Sequence, residues 1–129
     1  MAGEIDPVLL QVIGGELDSI AKEMAHQLIR SSYSVIIRES EDMGCALLNR
    51  RGEEIAESDN TPFHVGSLVA YTRGAMEVLE QRGWELRPGD VLIHNHPYYG
   101  ASHSPDIAIV MPVLGHATWH LYRRLVERA

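Results

Sequence analysis

Val91-Leu92-Ile93-His94-Asn95-His96-Pro97-Tyr98-Tyr99-Gly100-Ala101-Ser102-His103-Ser104-Pro105-Asp106-Ile107-Ala108-Ile109-Val110 sets the architecture that the rest of the chain must fit. Val91 to Ile93 and Ile107 to Val113 are short, apolar and rich in β-branched residues, which is the pattern of strands; Arg87-Pro88-Gly89-Asp90 is a turn signal leading into the first. Between them, residues 94–106 are polar and hold two prolines and a glycine, so they cannot continue as one strand or helix. A structured loop bracketed by two strands is expected, carrying three histidines and Asp106.

Upstream, Asp6-Pro7 pairs a capping side chain with a proline suited to the first helical position. Leu9, Ile13, Leu17, Ile20, Met24 and Leu28 then recur every three or four residues, which predicts a helix with one core-facing stripe, and the Gly14-Gly15 pair permits close approach or local weakness. Gly44 to Leu48 and Glu54 to Glu57 flank Asn49-Arg50-Arg51-Gly52, a polar turn with glycine where positive φ is needed, and predict a β-hairpin. Thr61-Pro62 breaks the chain; Leu68, Tyr71, Ala75, Val78 and Leu79 predict a second helix from about Ser67 to Arg82, ending near Gly83. The fold class is therefore α+β: an N-terminal helix, a β-hairpin, a second helix and short strands flanking a His/Asp loop, as part of a larger domain.

Composition narrows the function. The 129 residues include 18 acidic and 11 basic side chains, a formal net charge of −7, and 45% are hydrophobic, as in an ordinary globular domain. The acidic balance gives no general attraction for phosphate backbones, and only Arg123, Arg124 and Arg128 begin a basic patch, so nucleic acid is not the expected partner. Cys45 is alone and cannot form an internal disulfide, Met1 to Asp6 lacks a secretory pattern, and no apolar run reaches the roughly 20 residues that span a bilayer. A cytoplasmic protein without a membrane span is expected.

Five of the seven histidines lie between residues 94 and 120. Imidazole and carboxylate are common ligands of divalent ions, and His103 precedes Asp106 by three residues with Pro105 forcing an extended approach, so both could reach one ion. The alternative is a polar loop whose histidines only hydrogen-bond their surroundings. His94 and His96 alternate at strand spacing and would share a face as ligands, acid/base groups or a hydrogen-bonded pair if the strand continued. His116 and His120 have the four-residue spacing of a zinc-protease pair, but Ala117 stands where the catalytic Glu would be. His64, at the mouth of the second helix, either lines a cavity or satisfies a helix end; His26 is an ordinary helix residue. Asp42 closes the group Glu39, Glu41 and Asp42 and faces either water or a site. Cys45 is a small packing residue rather than a nucleophile, and no glycine-rich phosphate loop occurs.

In order, Asp6-Pro7-Val8, Tyr33 to Arg38, Glu39 to Leu47, His64-Val65-Gly66-Ser67, Arg87-Pro88-Gly89-Asp90 and Asn95 to Asp106 resemble the hydantoinase B/oxoprolinase family, over roughly residues 6–113. The sharpest part is Asn95 to Asp106, against a family pattern that looks like N-D-P-Y-x-G-G-T-H-x-P-D. The resemblance implies a divalent metal, Zn or Mn, held by the residues matching His103 and Asp106, with Asp42 as a further ligand. It also implies ATP-dependent opening of cyclic amides of the hydantoin or 5-oxoproline type. On the same resemblance an A-type partner subunit would use the ATP, and water activated by the metal would attack the activated ring carbonyl, with His64 or His96 as the expected proton relay.

Family members are several times longer, and a downstream H-H-x-D motif that supplies another metal-binding histidine is not recognisable here. Residues 1–113 are therefore expected to be the N-terminal part of a hydantoinase B/oxoprolinase-like domain, and residues 114–129 a divergent C-terminal tail in which Trp119, Tyr122, Leu125 and Val126 share a helical face. The expectation is an N-terminal fragment of a hydrolase subunit, inactive when isolated; the alternative is a non-catalytic remnant or partner-docking module.

Overall fold

The computed structural model describes residues 6–60, 64, 66–87, 89–101 and 103–111. They fall into two compact units, residues 1–70 and 71–129.

In the first unit, α1 (Pro7–Ser31) starts where Asp6 accepts the Val8 N–H at 2.9 Å, satisfying one of the helix's orphan donors. It packs against a hairpin of β1 (Ala46–Leu48) and β2 (Glu54–Glu57) and against a six-residue helix, α2 (Val35–Ser40). The seam is lined by Ala21 and Ala25, both fully buried, while Ile13, Leu17 and Ile20 are half-buried and Leu9, Met24 and Leu28 are exposed. The expected stripe is thus only partly covered, and burial follows the alanines, which let the hairpin come close. Nothing among the described residues lies within 4 Å of where a Cβ would stand on Gly14 or Gly15, so that pair is not a close-approach site.

The hairpin turn is built by Asn49. Its Oδ1 accepts from the Arg51 and Glu53 N–H groups at 2.8 and 3.1 Å, and Gly52 takes φ 72°, a conformation that costs glycine little. The strands are antiparallel, with a shift in register between Leu47 and Leu48. α2 is not legible in the sequence, because six residues are too few to establish a helical period. It ends at Glu41 in the left-handed region, φ 50°.

The second unit holds most of α3 (Ser67–Arg82), whose first turn belongs to the first unit, and an antiparallel ribbon of β3 (Leu92–His94) and β4 (Ala108–Val110). α3 ends as expected: Gly83 takes φ 64°, and the Gly83 and Trp84 N–H groups donate to the Glu80 and Leu79 carbonyls. Tyr71, Thr72, Gly74, Ala75 and Leu79 are its buried residues. A Cβ on Gly74 would fall inside the carbonyl group of Tyr99, so glycine is what lets the loop's backbone lie on the helix. The ribbon pairs Ile93 with Ile109 and His94 with Ala108. Val91, Ile93, Ile107, Ile109 and Met111 are all exposed, leaving an apolar face at alternate positions. The predicted continuation to Val113 and the expected tail, residues 114–129, lie outside the described residues.

Candidate functional site

In the loop between β3 and β4, the Asn95 side chain donates to the Ser104 carbonyl at 3.0 Å, pinning its base. Pro97–Tyr99 form a single 3-10 turn, closed by the Tyr99 N–H on the His96 carbonyl, and Gly100 at φ 103° reverses the chain. A second turn then folds Asp106 back on His103, with the Asp106 N–H donating to the His103 carbonyl at 3.2 Å.

Three donors converge on one oxygen of the Asp106 carboxylate. Oδ2 accepts from the Tyr71 hydroxyl at 2.9 Å, the His103 backbone N–H at 3.0 Å and His103 Nδ1 at 3.2 Å. Burial pushes the Asp106 pKa upward, but the hydrogen bonds from Tyr71 and His103 and the His103 charge outweigh it and hold the carboxyl below its ordinary value. The Asp106 side chain is a quarter exposed and that of His103 three-quarters exposed, so the pair is open to a ligand from solvent. Two atoms bound to one first-row divalent ion at about 2.1 Å, with about 90–110° between them, lie roughly 3.0–3.4 Å apart. The 3.2 Å spacing of Nδ1 and Oδ2 therefore suits adjacent ligands on a cation as well as a shared proton, and the donor set fits.

Tyr71 is held at its other end too. His94 Nε2 lies 3.0 Å from the Tyr71 carbonyl, and because a carbonyl only accepts, Nε2 carries the proton. His94 Nδ1 is buried without a hydrogen-bond partner among the described residues. The rings of Tyr71 and His94 meet edge to face at 5.9 Å.

His96 does not share a strand face with His94, contrary to what their spacing suggests. The strand stops at His94 and Pro97 starts a turn, leaving His96 exposed with its ring 5.1 Å from that of Tyr99. Asp42 lies in the first unit, where His64 Nε2 donates to its Oδ1 at 3.1 Å. His64 is steadied by the Ser67 hydroxyl on its carbonyl and by close packing at Gly44, where a Cβ would stand 3.1 Å from that of His64. Among the described residues no three His, Cys, Asp or Glu side chains gather as a metal site; the described pairs are His103 with Asp106 and His64 with Asp42. His116 and His120 lie outside the described residues. Cys45 is half-buried, exchanges hydrogen bonds with Ser58, and has its thiol pKa pushed up by burial. That environment suits packing rather than nucleophilic attack.

The model for hydantoinase B/oxoprolinase matches residues 6–125. The chain belongs to the hydantoinase B/oxoprolinase family. It is 49% identical over 111 residues to a Pseudomonas sp. (strain NS671) protein named as the B-type subunit of a D-/L-hydantoinase, covering 85% of this chain and 19% of that one. It is 37% identical over 109 residues to the 5-oxoprolinase of Saccharomyces cerevisiae, 84% of this chain and 8% of the relative, and 37% identical over 108 residues to 5-oxoprolinase 1 of Arabidopsis thaliana, with the same coverage. No solved structure matches significantly. The chain thus spans under a fifth of the hydantoinase relative and under a tenth of the oxoprolinases. Among its described residues no helix is long and apolar enough to cross a membrane.

Tyr71 and Gly74 are site residues that sequence reasoning missed. The spacing alone places Tyr71 in the apolar stripe of α3. Its phenol was the available signal, because a buried tyrosine needs a partner for its hydroxyl.

Proposed function

We propose that this chain carries the cation-holding loop of a subunit that, with an A-type ATP-using partner, opens cyclic amides of the hydantoin or 5-oxoproline class. The observation that carries it is the His103–Asp106 pair, 3.2 Å apart and open to solvent, in a chain of the hydantoinase B/oxoprolinase family. His103 and Asp106 would hold a divalent cation, Zn²⁺ or Mn²⁺. Such an ion brings the pKa of water towards about 7 and polarises a carbonyl. Asp106 supplies negative charge and His103 a neutral imidazole. His64, with its ring oriented by Asp42 at 3.1 Å, has the arrangement of a carboxylate-oriented proton carrier. His96, exposed beside Tyr99, is the second candidate for proton transfer. Asp42 is engaged by His64, which makes it an orienting group in this proposal rather than a third ligand.

Elemental analysis of the purified chain is expected to find Zn²⁺ or Mn²⁺ that is lost in His103→Ala; equal metal content in the variant refutes the cation site. Ring opening is tested by adding an A-type partner, ATP and hydantoin or 5-oxoproline. A second possibility, a non-catalytic docking module, is favoured by the absence of a three-ligand group among the described residues and by the exposed apolar face of the ribbon, because catalytic zinc sites use three protein ligands. Stable association with the A-type partner without turnover would select it.

A further inference from the structure

The structure assigns Tyr71 as the positioning residue of the cation site: its hydroxyl fixes the Asp106 carboxylate beside His103 before any cation arrives. The assignment rests on the proposed cation-binding role of His103 and Asp106.

Tyr71 is 4% exposed and stands on α3, thirty-five residues before Asp106, so it ties the loop to a rigid element. Among the described residues, the loop itself holds Asp106 through its own turn, by the backbone and ring of His103. Those contacts come from the same class of adaptable structure as the carboxylate they orient. The Tyr71 hydroxyl at 2.9 Å is the described side-chain contact that anchors Asp106 from outside the loop. Tyr71 is itself aligned at both ends, with His94 Nε2–H on its carbonyl at 3.0 Å and the His94 ring against its own. Because the three donors all bind Oδ2, the plane of the carboxylate is fixed. A ligand restrained in this way loses less freedom when it binds an ion, which is how outer partners of metal ligands raise affinity.

The test compares the full chain with Tyr71→Phe, Asp106→Asn and the double variant. Phenylalanine keeps the ring in the buried position and removes only the hydroxyl. Zn²⁺ affinity, measured by competition with a chromophoric chelator, is expected to fall by about 10-fold or more in Tyr71→Phe, and the hydroxyl's effect is expected to vanish in the Asp106→Asn background. A structural role would lower affinity equally in both backgrounds, and that result overturns the assignment. Three-bond couplings across Asp106 χ1, measured by NMR without metal, are expected to report one rotamer in the unaltered chain and averaging in Tyr71→Phe. If the unaltered chain takes up no Zn²⁺, the cation site is refuted and the assignment of Tyr71 to it falls with it. Unchanged couplings in Tyr71→Phe overturn its assignment whatever the metal result.

Discussion

Gly74→Ala sets two effects of opposite sign against each other. In an exposed helix interior, replacing glycine by alanine stabilises by about 0.8–1 kcal/mol, because glycine loses more backbone freedom on folding. At Gly74 the added methyl would fall inside the Tyr99 carbonyl group, and backbone cannot turn aside as the end of a side chain can. The Tyr99 segment is closed by its N–H bond to His96 and followed by Gly100 at φ 103°, so it has little room to retreat. Overpacking costs about 1–3 kcal/mol even where side chains can yield. The clash wins: an overpacking cost at the upper end of that range, as an unyielding backbone demands, less the helix gain leaves an expected net loss of about 2 kcal/mol, with displacement of residues 97–99 from α3. Gly14→Ala and Gly15→Ala are the internal controls, since nothing described lies within 4 Å of either new methyl and only the helix-propensity gain remains. Urea unfolding followed by circular dichroism gives all three values. A Gly74→Ala chain as stabilised as Gly14→Ala would refute the close contact between α3 and the Tyr99 backbone.

Two further outcomes follow from local electrostatics. Because the folded-state pKa of Asp106 lies below its ordinary value, its ionised form contributes stability above the unfolded carboxyl pKa, about 3.9, and that contribution is lost as pH falls through the folded value. Asp106→Asn is therefore expected to be less stable at pH 7 and to show a shallower loss of stability below about pH 5, read from unfolding midpoints across pH; an identical acid limb in both chains contradicts it. Burial raises the Cys45 thiol pKa and so lowers its thiolate fraction. Alkylation by iodoacetamide at neutral pH is expected to be several-fold slower than for free cysteine in the folded chain and to accelerate on unfolding, whereas fast modification of the folded protein would contradict it.

The parts of this fold legible in the sequence are those with local causes. α3 runs from Ser67 to Arg82 as expected because Gly83 can take the left-handed conformation that ends a helix. The first hairpin follows from Asn49 and Gly52, and α1 from Asp6-Pro7. Failures begin where a result depends on distant residues. The α1 stripe spaces large apolar residues correctly, yet what the hairpin buries is set by Ala21 and Ala25, because a close seam favours small side chains. His94 and His96 look equivalent at a two-residue spacing, but the turn at Pro97 separates them. In the site, the three-residue spacing of His103 and Asp106 reveals a pair that does meet. Asp42 and His64 are twenty-two residues apart, a separation that carries no periodic signal, and Tyr71 is concealed by being both a packing residue and a donor.

A crystal of the full chain soaked in Zn²⁺ and measured at the zinc absorption edge tests the proposed cation site most directly. An anomalous peak is expected beside His103 and Asp106, about 2.0–2.2 Å from an imidazole nitrogen and a carboxylate oxygen, and absent from His103→Ala crystals soaked in the same way. Density showing the two side chains still hydrogen-bonded to each other, with zinc bound elsewhere or nowhere, would contradict it.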